Sequence, residues 1–371
     1  MIYKIMFKLL LKEGKYIEFS GGNFDGKTIH PLWLRERLKG LDFLDKDNLQ
    51  RLYEPSLLEI DIKITNFKLD KDKLKVNFSD NTYGEFNIEE ILYEINKNDE
   101  IPSKKIWKNN FESLPIHNYK NFSKSDNFLI NILKDFHQLG FVIISGLSKN
   151  KGTVIEFAET LGPVRSTNFG KYFDVISKPN PNDLAYTPLA LSAHADNPYR
   201  KPIPGIQLLH CISNEAKGGD STLVDGMAVA EHLKENQKDY YDILTKTNVL
   251  FKFVDKDIIL ENWGKLIELD ENNNFKQIRF SGRLDYVPLS DHKNLEIYYK
   301  ARKKLYQLYA SKEFEINFRL DSGMLLMFDN HRLLHGRSKY DPNTGYRHLQ
   351  GCYIEHDATE GRLRRLLRKI S

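Results

Sequence analysis

The sequence predicts a mainly β protein with flanking helices, in which a two-sheet jelly roll follows a small β-rich domain. Three observations carry this expectation. The N-terminal third alternates apolar and polar side chains between turn signals, as antiparallel strands with one wet face do. Further on come short apolar-rich runs, Gly205-Ile206-Gln207-Leu208-Leu209-His210-Cys211, Ser221-Thr222-Leu223-Val224 and His348-Leu349-Gln350-Gly351-Cys352-Tyr353, separated by Gly and Pro as in a jelly roll. Helical periodicity is confined to a few windows.

In chain order, Met1 to Leu11 is apolar but interrupted by Lys4 and Lys8. No small-residue cleavage site follows, so it reads as a first strand and not as a secretory signal. Strands are expected at Tyr16–Phe19, Ile60–Ile64, Leu74–Phe78 and Tyr83–Phe86. Residues 101–125 are polar and broken by Pro102 and Pro115, with Trp107 and Phe111 between them. That composition predicts a linker packing onto its neighbours, dividing a domain over 1–100 from a second over 126–371. The second opens with an amphipathic helix over Asp126–Leu139, whose Phe128, Leu129, Ile132, Leu133 and Phe136 share a face; Gly140 ends it and Phe141–Ile144 follows as a strand. A helix over Thr153–Leu161 is closed by Gly162-Pro163, and helical spacing returns at about 227–247 and 291–310.

With 371 residues, 40% hydrophobic and 12% aromatic, the chain can bury a sizeable core. Its 55 Lys and Arg against 51 Asp and Glu are interspersed, so no nucleic-acid partner is expected. No apolar stretch is long enough to span a bilayer, so no membrane association and a cytoplasmic location are expected. Cys211 and Cys352 sit in apolar segments without metal-type spacing, which suits buried thiols in a reducing compartment.

The chemistry gathers around Leu191-Ser192-Ala193-His194-Ala195-Asp196-Asn197. On a strand, His194 and Asp196 would project from one face and could converge on an ion. His335 follows the apolar run Met324–Phe328, and a histidine just past such a strand can complete a facial triad of two histidines and a carboxylate, with coordination sites left open. A lone His-x-Asp would better suit a hydrogen-bonded surface pair. The distal His335, with Arg347 following it near the start of the last strand, favours the metal, because that arginine can clamp a carboxylate bidentately. His331, four residues before His335, would suit zinc on a helix, but the preceding apolar run and Gly336 predict a strand leading into a loop and no ligand role. His210, His348 and His356 read as structural, and Gly218-Gly219-Asp220 as a tight turn, since no Lys-Ser/Thr pair follows.

These segments, with Gly218-Gly219-Asp220-Ser221, Val224-Asp225-Gly226 and Leu333-Leu334-His335-Gly336-Arg337, resemble the TauD-type iron(II)/2-oxoglutarate dioxygenases, and among them the γ-butyrobetaine dioxygenase branch, over nearly the whole chain. The resemblance implies a double-stranded β-helix holding Fe(II) on His194, Asp196 and His335. It implies 2-oxoglutarate as cosubstrate on Arg347, O2 as oxidant, ascorbate in support, and succinate and CO2 released as an unactivated carbon is hydroxylated. Ser221 or Thr222 could also touch the cosubstrate, a plain turn hydroxyl being the simpler reading. Relatives of this kind are commonly homodimers, so a homodimer is expected. The competing class is a non-oxygenase jelly roll whose same ligands hold another metal. Trp33-Leu34-Arg35-Glu36 resembles the branch's accessory β-domain, which elsewhere carries zinc on three cysteines and a histidine; the matching positions here are Leu38, Gly40, Phe43 and Thr82, so no structural zinc is expected.

For the substrate, Phe169, Phe173 and Tyr186 precede the triad at spacings where the family builds an aromatic cage, and Tyr353 follows Arg347 on the last strand. Ring faces hold a quaternary ammonium through their quadrupoles, which implies a small trimethylammonium zwitterion. Core packing is the competing reading for the two phenylalanines. The family's carboxylate-binding asparagines are replaced by Asp183 and by Ser281-Gly282-Arg283, while Arg200 follows the triad. Extra arginine suits a more highly charged anion. γ-Butyrobetaine and 2-(trimethylamino)ethylphosphonate are therefore the substrate types implied, with 2-aminoethylphosphonate or trimethyllysine as alternatives. Asp183 fits only if it faces the cationic end or pairs with arginine.

Overall fold

The computed structural model describes residues 7–96, 100–120, 127–176 and 187–368. The chain divides into two units, Met1–Asp99 and Glu100–Ser371.

In the first unit β1 (Lys8–Lys12), β2 (Tyr16–Ser20) and β3 (Thr28–Ile29) make one antiparallel sheet, followed by the short helix α1 (Pro31–Arg35). A second sheet is built from β4 (Ile64–Asp70), β5 (Lys73–Phe78) and β6 (Tyr83–Asn87), and α2 (Ile88–Ile95) ends the unit. Strand alternation turns Ile17, Phe19, Leu74, Val76 and Phe78 into one apolar core. Leu38 is buried in that core and Phe43 packs against it. The strand expected over Ile60–Ile64 starts only at Ile64, because the preceding residues turn, with the Ile62 N–H donating to the Glu59 carbonyl at 3.3 Å. Helix α2 was not expected; it is short, and its start is fixed by the Asn87 side chain accepting the Glu89 N–H at 2.8 Å.

The second unit begins with β7 (Ile116–Asn118), α3 (Asn127–Leu139), β8 (Phe141–Ser145), α4 (Thr153–Glu159), β9 (Phe173–Val175) and β10 (Leu191–His194). Next come β11 (Ile206–Asn214), β12 (Lys217–Gly218), β13 (Ser221–Asp225), α5 (Gly226–Asn236) and α6 (Lys238–Lys246). Then follow β14 (Val249–Val254), β15 (Ile259–Gly264), β16 (Ile267–Leu269), β17 (Phe275–Ile278), β18 (Asp285–Tyr286) and α7 (His292–Tyr309). The chain closes with β19 (Glu315–Phe318), β20 (Leu325–Asp329), β21 (Leu333–Arg337), β22 (Tyr340–Asp341), β23 (Arg347–Ile354) and α8 (His356–Leu367).

Two sheets form the jelly roll: a six-stranded one in the order β7-β8-β20-β11-β23-β9 and a four-stranded one in the order β10-β21-β13-β19. Their inner faces meet in a core of Phe141, Leu326, Phe328 and Leu349 from the larger sheet with Leu223, Ile316 and Leu333 from the smaller. Helices α3, α4 and α8 cover the larger sheet's outer face through Phe128, Leu129, Ile132, Leu133, Phe136, Phe157 and Leu363. Helices α5 to α7 cover the smaller sheet, where Val229, Leu233, Leu244 and Leu305 pack on Val224 and Leu334.

In the second unit two further elements differ from expectation. Residues 101–120, the described part of the linker expected over 101–125, belong to the second unit: Trp107 is buried, its indole N–H donates to the Leu139 carbonyl at 2.6 Å, and β7 adds a parallel edge strand to β8. Their prolines mark turns in a packed strap. No apolar spacing in the sequence marks helix α8, because only Thr359 and Leu363 of it are buried. Cys211 and Cys352 are free and buried, and burial pushes their thiols up to about 11 and about 12. Among the described residues no helix is long and apolar enough to cross a membrane.

Candidate active site

His194 and His335 are direct cross-strand partners on β10 and β21, so the antiparallel ladder sets their rings side by side, with centroids 4.4 Å apart. His335 sits within a strand of its own and not in a loop: β20 ends at Asp329, the chain turns, and β21 crosses to the smaller sheet, where it runs antiparallel to β10 and β13. Gly336 is required at this crossing, because a Cβ there would lie 2.6 Å from the Leu191 carbonyl oxygen and 2.7 Å from Thr222 Oγ1. Asp196 lies just beyond β10. Its backbone is fixed by Asn330, whose Oδ1 accepts the Asp196 N–H at 2.7 Å and whose Nδ2 donates to the Asp196 carbonyl at 3.0 Å.

The three side chains present one compact set of donors. Asp196 Oδ1 is 3.3 Å from His194 Nε2 and 3.8 Å from His335 Nε2, and the ligand atoms of all three lie within 4.8 Å of one another. Metal–ligand bonds of about 2.1 Å at right angles would set such atoms about 3 Å apart, so a first-row ion fits with a slight contraction. His194 Nδ1–H donates to the Ser192 carbonyl at 2.9 Å, which leaves Nε2 as the lone-pair nitrogen facing Asp196. The other Asp196 oxygen, Oδ2, accepts the Tyr353 hydroxyl at 2.8 Å.

Electrostatics favour the forms a cation needs. Burial resists ionisation of Asp196, but the adjacent His335 and His194 rings and the hydrogen bond from the Tyr353 hydroxyl outweigh it and hold the carboxyl well below the usual range. Burial, reinforced by His194, pushes His335 down to about 3, so it is neutral at pH 7. Burial, then Asp196, holds the Tyr353 hydroxyl protonated, far above the ordinary tyrosine range.

The triad opens on a cavity lined from both sheets, with Phe169, Phe173, Asn197, Gln207, Ser221, Arg283, Arg337, Arg347 and Tyr353 in its wall. Arg347 is the first residue of β23, buried, with Nη2 donating to the Gly219 carbonyl at 3.1 Å and a buried Nε that has no partner. Burial and then Arg337 lower its guanidinium to about 10, which leaves it cationic at neutral pH. Ser221 lines the cavity, whereas Thr222, the adjacent residue on β13, turns to the opposite face toward Gly336 and is not in the wall. Phe173 packs on Tyr353 with ring centroids 5.4 Å apart.

Arg200 does not line the cavity. The chain turns after Asn197, whose φ is 52°, and the Arg200 guanidinium lies 5.9 Å from the Phe169 centroid and 5.6 Å from that of Tyr199, bonded to Asn168. Asp183 and Tyr186 lie outside the described residues. His331 is no ligand: its Nε2 meets the Ile203 carbonyl at 3.2 Å and its ring packs on His356. Residues the motifs did not single out include Asn330, Gln207 and Arg337. Arg337 was legible, since alternation puts the residue two after His335 on the same face; Asn330 was not, because it acts on a loop 134 residues away.

Residues 112–353 match the family model of the taurine catabolism dioxygenase TauD, TfdA family. The γ-butyrobetaine dioxygenase of Pseudomonas sp. (strain AK-1) is 34% identical over 71% of this chain and 68% of its own length. That of Homo sapiens is 29% identical over 93% and 92%. The crystal structure of asparagine oxygenase (AsnO) is similar in fold, with a TM-score of 0.50 at 16% identity over 62% of this chain and 77% of that one. Since the family match runs through both sheets and every described residue of the cavity wall, the chain belongs to the TauD, TfdA family and is an iron(II)- and 2-oxoglutarate-dependent dioxygenase similar to the γ-butyrobetaine dioxygenases.

Proposed function

We propose that this dioxygenase hydroxylates an unactivated carbon of a small trimethylammonium zwitterion, of the γ-butyrobetaine or 2-(trimethylamino)ethylphosphonate type. In this reading His194, Asp196 and His335 hold iron(II), and Arg347 receives the distal carboxylate of 2-oxoglutarate. The observation that carries it is one cavity holding all four residues together with the aromatic wall of Phe169 and Phe173.

Iron bound there supplies O2 activation coupled to oxidative decarboxylation of 2-oxoglutarate, giving succinate, CO2 and one oxygen atom for the substrate C–H bond. The protein's part is orientation. Neutral His335 and ionised Asp196 offer lone pairs without first losing a proton, and Tyr353 locks the carboxylate rotamer so that Oδ1 faces the histidines. Arg347, buried at the far end, offers a charged, pre-oriented donor to a carboxylate. Phe173 and Tyr353 form a continuous aromatic corner beside Asp196, where a quaternary ammonium would meet ring faces close to the metal. Arg200 already draws on the Phe169 ring, so Phe173 is the stronger cage wall. Arg283, exposed in the cavity wall, is the residue we assign to the anionic end of the substrate. A homodimer in a reducing, cytoplasmic setting completes the reading; a monomer mass by light scattering would refute the assembly.

The substrate is tested by offering purified protein, iron(II), ascorbate and 2-oxoglutarate each of γ-butyrobetaine, 2-(trimethylamino)ethylphosphonate, 2-aminoethylphosphonate and trimethyllysine, reading succinate. Stimulation by either of the first two is expected. No stimulation by any of the four would remove the substrate class and leave the cofactor chemistry in place.

A further inference from the structure

We propose that Gln207 holds the metal-proximal carboxylate of 2-oxoglutarate, the one joined to the keto carbon, while Arg347 holds the distal one. The inference rests on the cosubstrate placement given above. Gln207 is 1% exposed on β11, lines the cavity, and its Oε1 is buried with no hydrogen-bond partner. An unpaired amide is costly in a protein interior, so one that faces a ligand cavity is a group waiting for the ligand.

The sheet register identifies which part of the ligand it meets. Across β11, Gln207 pairs with Phe328 on β20 and with Tyr353 on β23. The Phe328 ring lies 4.8 Å from that of His335, and the Tyr353 hydroxyl bonds Asp196. Both cross-strand neighbours of Gln207 therefore touch a member of the triad, which puts the amide at the metal end of the cavity. Along the same face the wall continues through Leu209 and Leu349 to Arg347. A linear dicarboxylate laid on this row has an amide at the metal end, apolar side chains beside its methylenes and a guanidinium at the far end.

The choice of amide over arginine has a physical reason. The proximal carboxylate is already neutralised by the metal it chelates, so a second cation there would compete with the ion, whereas a neutral N–H orients the carboxylate without changing the charge balance. A rotation about the last side-chain bond exchanges the amide's oxygen and nitrogen, so the N–H2, the half that can donate to a carboxylate, can be turned to the ligand.

Anaerobic titration of 2-oxoglutarate into iron(II)-loaded protein tests this, followed by the visible charge-transfer absorption of a chelated keto acid. Gln207→Leu should weaken 2-oxoglutarate binding roughly tenfold to a hundredfold and shift the absorption band, with iron affinity unchanged and the melting temperature no lower. 2-Oxovalerate, which keeps the keto-acid end and lacks the distal carboxylate, should lose the same factor in this variant, because Gln207 and Arg347 act on separate groups. If Gln207→Leu fails to fold, Gln207→Asn, which withdraws the amide by one methylene, should show the same loss. Wild-type affinity and an unshifted band in the iron-loaded variant would overturn the proposal. Absence of any band from the wild-type protein would overturn the cosubstrate placement itself, and this proposal with it.

Discussion

Replacing Tyr353 with Phe removes one hydroxyl and leaves the ring against Phe173, so it isolates the hydrogen bond to Asp196 Oδ2 at 2.8 Å. That bond joins a buried neutral donor to a carboxylate, a class worth about 1.5–3 kcal/mol. Its loss frees the carboxylate to rotate away from the histidines, so it should fall on metal affinity. At about 1.4 kcal/mol per factor of ten, iron(II) binding should weaken roughly tenfold to a hundredfold, in line with other supporting contacts of metal ligands. Calorimetric titration with manganese(II) as an oxygen-stable stand-in would read this directly, with the melting temperature of the metal-free protein as control. Wild-type affinity in Tyr353→Phe would refute the argument that this hydroxyl sets the Asp196 rotamer.

Gly336→Ala should lower stability by about 1–3 kcal/mol and reduce metal binding, because its Cβ meets backbone at 2.6 Å beside His335; a melting temperature and manganese titration equal to wild type would contradict the close-packed crossing. His137, pushed down to about 4 chiefly by burial, stays neutral in the folded chain while the unfolded chain takes up a proton near pH 6.5. Its depressed value means stability should fall as pH drops from about 6.5 to about 4, by at most about 3 kcal/mol, and His137→Gln should flatten that limb in urea denaturation. An unchanged slope would show that another group carries it. Metal analysis of the purified protein should return no structural zinc, since the resemblance sets the branch's ligands at Leu38, Gly40, Phe43 and Thr82, of which the first three offer no ligand side chain; one tightly held zinc per chain would contradict this.

The legible parts of the site are those with a local pattern. His194 and Asp196 are two residues apart, so strand alternation alone brings them to one face, and Arg347 could be placed at the head of β23 from its apolar run. What sequence could not give is register. That His194 and His335 are direct partners, and that Gln207 stands between Phe328 and Tyr353, depends on ladders closed over more than a hundred residues. Local pattern also misled where backbone direction changes. Arg200 follows the triad closely, yet the left-handed Asn197 starts a turn, closed by the Arg200 N–H on the Asn197 carbonyl, that takes it out of the cavity. Alternation on β13 admits only one of Ser221 and Thr222 to the wall, a choice the phase of the strand decides. In the fold, the strap over residues 101–120 was read as linker because its contacts are single buried groups such as Trp107 and no repeating pattern marks them.

The central claim is that His194, Asp196 and His335 hold the iron that couples O2 to 2-oxoglutarate. Oxygen uptake and succinate formation, measured together with iron(II), ascorbate, 2-oxoglutarate and the four candidate substrates, test it most directly. The account predicts matched oxygen uptake and succinate in the wild-type protein and neither above background in a folded His194→Ala variant. Succinate formation at the wild-type rate in that variant would contradict it.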